Sequence, residues 1–169
     1  MDEVDRHIEQ WRVERPDLPE AGLRAMGLFG RLGRLAAKVG PYIEGHLIAR
    51  HELTVAEFDV LAALRRAGEP FTLTPGALAR AMMLSPSATT NRLDNLERRG
   101  LVTRSLDPGN RRSMPVTLTA EGRRLVDAAV VDHVATEQEL LGPLSAEQID
   151  RVNELLGRML HYVSELDED

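Results

Sequence analysis

Two helix starts eleven residues apart constrain this chain more than anything else in it. In LTPGALARAMMLSPSATTNRLDNLERRG, Thr74 is followed by Pro75 and Ser85 by Pro86. A hydroxyl at a helix N-cap accepts a hydrogen bond from a first-turn N–H. Proline fits the first helical position because its missing N–H would have no partner there. Two such starts so close together leave room for a short helix, a tight turn and a second helix, which is the spacing of a helix-turn-helix. The second helix is expected over 87–98, ended by Gly100 in a left-handed conformation. Its apolar residues are few. Leu93 and Leu96 face a core, while Ser87, Thr90, Asn91 and Asp94 lie on another side.

The segment before it, LTVAEFDVLAAL, opens on Thr54 with Glu57 three residues on, a capping box, and Leu53 and Phe58 are spaced as a hydrophobic staple. That helix is expected to reach Arg66 and break at Gly68-Glu69-Pro70. After Gly100 the pattern changes. LVTRSL is short, alternating and rich in β-formers, DPGN is a turn signal, and RRSMPVTLT returns as a second strand. Pro115 cannot donate to a ladder, so its strand needs a free side or a bulge. A two-stranded ribbon meets that need, giving a β-wing with Arg111 and Arg112 near its tip.

Helices are expected on both flanks. The first runs from about Asp2 to Glu14 and holds Trp11, the only tryptophan. PDLP interrupts it, and a long helix follows from Glu20 to His51 with Pro41 as a kink point. Thr119 caps a helix reaching about Leu141, which Gly142-Pro143 stops. Ser145 and Gln148 form another capping box, and the last helix carries the stripe Ile149, Val152, Leu155, Leu156, Met159, Leu160 and Val163. These flanking stripes exceed what one small lobe can bury. The economical solution is a homodimer with N- and C-terminal helices interleaved about a two-fold axis. The expected fold is mainly α with a small β-wing. N-terminal helices for dimerisation and ligand contact span 1–52, a winged helix-turn-helix lobe 53–122, and C-terminal dimerisation helices 123–169.

Charge is distributed to match. The chain has a formal net charge of −6, which argues mildly against nucleic acid as a partner, but location matters more than the total. Between Arg80 and Arg124 nine arginines face four acids, a local +5 that leaves −11 elsewhere. With no cysteine, disulfides, thiolate zinc sites and thiol redox sensing are excluded. No apolar run approaches the ~18 residues of a membrane span, so a cytoplasmic location is the default expectation and no membrane partner is expected. The five histidines, at 7, 46, 51, 133 and 161, do not form a helical metal pair, since His46 and His51 are five apart rather than four. No phosphate loop or nucleophile elbow is present. Neither enzymatic activity, a cofactor nor a metal is expected.

Together, LTVAEFDVLAAL, SPSATTNRLDNLERRGLV and DPGNRRSMPVTLTAEGRRL resemble the MarR family of transcriptional regulators, strongly over about Leu53 to Leu125. Asn110 departs from the pattern, since the family often has an acid before the paired arginines. The resemblance implies a cytoplasmic dimer, a repressor, on a pseudo-palindromic double-stranded operator. Ser85, Ser87, Thr89 and Thr90 can reach phosphates or base edges. Asn91 suits an adenine edge or a phosphate, Arg92 a guanine or the backbone, and Arg111 or Arg112 the minor groove. A narrower resemblance is to the urate-responsive regulators and their carboxylate-sensing relatives, on Trp11, Asp59, Arg92 and Arg104. It implies a small anionic effector such as urate or a tricarboxylate, held by arginines and repelling Asp59. Other readings of these residues stand beside it: Trp11 can be a packing residue, and Asp59 with the arginines a structural ion pair. The competing class is a winged helix used for protein–protein contact or as an architectural module, without sequence-specific DNA binding.

Overall fold

A computed structural model describes residues 1–82, 86–106 and 114–166, with residues 86–89 as backbone only. Among the described residues, seven helices and three short strands follow one another: α1 Glu3–Glu14, α2 Glu20–His51, α3 Val55–Arg66, β1 Thr72–Leu73, α4 Pro75–Ala81, α5 Pro86–Arg98, β2 Val102–Arg104, β3 Val116–Leu118, α6 Ala120–Leu140 and α7 Ala146–Leu166. The mainly helical fold with a small wing sheet is the one expected. No helix among the described residues is long and apolar enough to cross a membrane.

Local chemistry sets the helix starts. Thr54, Thr74 and Thr119 accept from the backbone N–H groups of Glu57, Ala77 and Gly122. The Thr54–Glu57 box closes reciprocally, with Glu57 accepting from the Thr54 N–H at 3.0 Å. Ser145 and Gln148 close another at the start of α7. A further box, Asp2 with Asp5, starts α1 and has no counterpart among the expected caps. Gly100 takes φ +72°, and the Leu101 N–H reaches back to the Leu96 carbonyl at 3.0 Å, the signature of a left-handed helix stop.

The core sits around α3. Val60, Leu61 and Leu64 are inaccessible to solvent, and Leu78 of α4, Leu93 and Leu96 of α5, Val102 and Val116 of the wing strands, and Val126 and Ala129 of α6 pack with them. The apolar core thus runs past residue 122 into α6. Leu53 and Phe58, the staple pair, are buried in it.

The wing differs from expectation in one respect. Its sheet has three strands in the order β1-β3-β2, all antiparallel. Thr72 pairs with Thr117 and Leu73 with Val116, and the Thr72 and Thr117 hydroxyls meet at 2.9 Å. β3 is therefore central, and the two-stranded ribbon was an undercount. Pro115 lies just ahead of β3 and contributes its carbonyl, which accepts from the Ser105 N–H at 3.3 Å. A residue without an N–H is tolerated there because the ladder asks it only to accept.

α1 lies back along the first turns of α2. Val4 and Leu23 are buried between them, and Arg31 bridges Asp2 at 2.8 Å and also Asp5. α2 then passes α6, where Asp132 takes His51 at 2.7 Å and Arg50 at 3.0 Å. In contrast, no residue of α7 is buried.

Candidate nucleic-acid interface

α5 is held on three sides of its circumference. Leu93 and Leu96 enter the core. A second row, Arg92, Asn95 and Arg99, at spacings of three and four, shares the face toward α3. Asn95 donates from Nδ2 to Glu57 Oε1, and Arg99 Nη1 reaches the same oxygen at 3.3 Å. A third row, Asp94 and Glu97, meets the wing. Arg104 on β2 contacts Asp94 at 2.7 Å and grips Glu97 through Nε at 2.9 Å, with its own backbone N–H on the other carboxylate oxygen at 3.1 Å. That guanidinium holds the Glu97 carboxyl below the usual carboxylate range. What remains outward includes Thr90, Asn91 and Arg98, all exposed.

The base of the wing is packed as closely as its sides. The Leu101 carbonyl accepts from both the N–H and the hydroxyl of Thr119, each at 3.1 Å. Gly122, in the first turn of α6, lies directly against that carbonyl.

The expected DNA-facing residues fall into three groups. Asn91 is exposed on α5 and Arg92 half-buried beside it. Thr90 is exposed and has an interaction of its own. Ser85, Arg111 and Arg112 lie outside the described residues, as do the side chains of Ser87 and Thr89.

Of the ligand candidates, Asp59 sits on α3 and feels Arg92. Its side chain is exposed, yet the neighbouring protein still raises its carboxyl above the usual range, against the opposing charges of His133, Arg66 and Arg92. Arg104 is engaged with Asp94 and Glu97. Trp11 lies on α1. It lines an open groove of about 1310 Å³ formed by α1 and the first turns of α2, with Leu23, Arg24 and Gly27. The groove reaches Arg31, and at 1.5 Å per residue about 30 Å of α2 still separates it from the loop leading to Asp59. One chain brings Asp59 and Arg92 together, but not Trp11 with them.

The geometry is that of known DNA-binding proteins. Residues 51–113 match the MarR family model. Over 157 residues, 93% of this chain and 92% of the relative, the sequence is 37% identical to the HTH-type transcriptional regulator PecS of Dickeya dadantii (strain 3937). The chain belongs to the MarR family. Among solved MarR-like structures, that of Bordetella bronchiseptica BpsR, whose DNA binding is regulated by 6-hydroxynicotinic acid, aligns with a TM-score of 0.68 at 30% identity, covering 78% of this chain and 98% of that one. A mutant E. coli MarR complexed with operator DNA aligns with a TM-score of 0.71, covering 89% and 97%; at 24% identity it speaks to the fold alone. MarR-family membership accounts for the helix-turn-helix and the wing. Glu57, Asn95 and Arg99 carry no joint signal in the sequence, because their partnership spans α3 and α5 and only Glu57 has a local mark, its capping spacing.

Proposed function

We propose that this protein is a sequence-specific DNA-binding transcriptional regulator, a repressor that works as a homodimer on a pseudo-palindromic operator. The observation that carries the reading is the three-sided seating of α5. Its core row and both polar rows have partners on neighbouring elements, while Asn91 and Arg98 are left exposed. A helix so mounted is suited to enter a major groove, and two of them related by a two-fold axis suit half-sites ~34 Å apart. Selection of bound duplexes from random DNA tests this directly. A two-fold pseudo-palindrome is expected, and recovery of no preferred sequence would leave the protein–protein or architectural reading in its place.

The wing supplies an independent test. Replacing both Arg111 and Arg112 with alanine is expected to weaken operator binding and flatten the plot of log K against log salt, by roughly 0.9 for each phosphate no longer neutralised. An unchanged affinity and slope would remove the wing from the interface.

The effector is proposed as a small organic anion such as urate or a tricarboxylate. Asp59 supports this, since an exposed carboxylate that feels the charge of Arg92 is open to any further negative charge. Such a ligand would push on α3 and draw on an arginine of the reading helix, which is coupling with a stated cause. A site using Trp11 as well takes that residue from a second copy, given the length of α2. Titration with urate, aconitate and citrate is expected to change the fluorescence of Trp11, the only tryptophan, and to release DNA. Intact DNA binding with no response to any of the three would end the effector reading.

A further inference from the structure

Glu57 is a buried carboxylate, 6% exposed, whose two oxygens serve two helices. Oε2 accepts from the Thr54 backbone N–H at 3.0 Å and its hydroxyl at 3.1 Å, which closes the α3 cap. Oε1 accepts from Asn95 Nδ2 and from Arg99 Nη1, which holds α5. Asn95 is itself steadied by Arg98, whose Nη1 donates to Asn95 Oδ1 at 3.0 Å. Burial alone would raise the carboxyl's pKa, but the Thr54 and Asn95 hydrogen bonds and the Arg99 charge outweigh it, so the group is held ionised.

The other interactions of α5 fix its position less sharply. Leu93 and Leu96 pack without directional preference. The wing clamp is wetter, with the side chains of Asp94 and Glu97 47% and 37% exposed against 9% for Glu57. Solvent screens such a clamp strongly, whereas hydrogen bonds to a buried charge are directional and among the stronger ones in a protein. The helix that carries Asn91 is therefore tied to α3 by a buried, directional contact at Glu57, beside its clamp to the wing at Arg104.

We infer that Glu57 is the positioning residue for DNA reading, fixing the seat of α5 through Asn95 and Arg99 without touching DNA. This rests on the proposed function of α5. A carboxylate suits the place, since as arranged all four partner groups donate to it, two on each oxygen. Glutamine has one acceptor oxygen and is compatible with a capping box, so Glu57→Gln keeps the α3 cap while an amide NH₂ rather than an oxygen faces the donors of Asn95 and Arg99.

The test compares two duplexes of equal length, one selected from random DNA by the unaltered protein and one scrambled. Glu57→Gln is expected to lower the ratio of selected to scrambled affinity about tenfold, the effect of one charged hydrogen bond. The salt slope on either duplex should stay unchanged because the same phosphates are neutralised, and the melting temperature should stay within a few degrees. Arg99→Met should lower the ratio similarly, and the double variant no further than either single one. If Glu57→Gln melts much earlier, Arg99→Met decides alone. A folded variant with an unaltered ratio overturns the inference, as does a ratio that falls in step with the salt slope, which would make these residues phosphate ligands. Failure of the unaltered protein to prefer the selected duplex would overturn this inference and the proposed function together.

Discussion

Gly122→Ala is expected to be among the most damaging single substitutions in the lobe, costing about 3 kcal/mol or more in a buried position that cannot yield. A Cβ built on Gly122 would stand 2.1 Å from the Leu101 carbonyl oxygen and 2.9 Å from its carbon. Such clashes are relieved only by moving backbone. The usual escape, a side chain turning aside, does not exist here, because the obstacle is main chain. Nor can the carbonyl retreat freely, since Thr119 holds it with its N–H and its hydroxyl. Leu118 Cδ1, at 3.0 Å, closes the remaining side. Alanine would otherwise favour a helix, so the loss measures packing alone. For a chain of this length, ~3 kcal/mol corresponds to a melting temperature lower by roughly 6–12 °C. A melt within two degrees of the unaltered protein would mean that α6 can slide on the wing base. Because β2, β3 and α6 all meet at this carbonyl, the folded fraction should also bind DNA more weakly, the wing having moved relative to α5.

The crowding at Leu101 also shows what can and cannot be read from the chain. Thr119 is legible as a cap because capping is local chemistry, decided within three residues. The same holds for Thr54, Thr74 and the stop at Gly100, and the helix-turn-helix follows from those positions. Gly122 carries no comparable signal, because its neighbour Leu101 is brought to it by the wing. β1 escapes notice for a related reason. Two residues cannot display an alternating pattern, and Thr72 and Leu73 become a strand only because β3 offers an edge. At the candidate site, Asp59 and Arg92 are singled out by resemblance and do lie within electrostatic reach of one another. The Glu57 tie joins residues 38 positions apart, and in sequence its carboxylate has only its capping role. Arg104 is legible as a cation, but its engagement with Asp94 and Glu97 depends on how β2 folds back along α5.

The second large effect is expected from α7. Its apolar stripe, Val152, Leu155, Leu156, Met159, Val163 and Leu166, keeps one face of a 21-residue helix, yet no residue of it is buried within the chain. Val152, Val163 and Leu166 remain 43%, 49% and 56% exposed, and Phe29, Leu35 and Val131 on α2 and α6 are more open still. Fully burying a side chain of this size stabilises by roughly 1.5–3 kcal/mol, so a stripe of six is too large to leave in water. A second copy is the partner the proposed operator symmetry requires. Leu156→Asp combined with Val163→Asp puts two charges one heptad apart in the middle of that face. The pair is expected to yield a monomer at micromolar concentrations in sedimentation. DNA affinity should fall by about 100-fold or more, because two half-sites are then bound without the effective concentration that linkage provides. Arg158→Gln, outside that stripe with its side chain 73% exposed, should alter neither. The lobe around α3 draws none of its buried residues from α7, so the double variant separates assembly from reading. A monomer that still binds its operator with the affinity of the unaltered protein would show that one α5 suffices. A double variant that remains dimeric would move the interface off α7 and onto the exposed faces of α2 and α6.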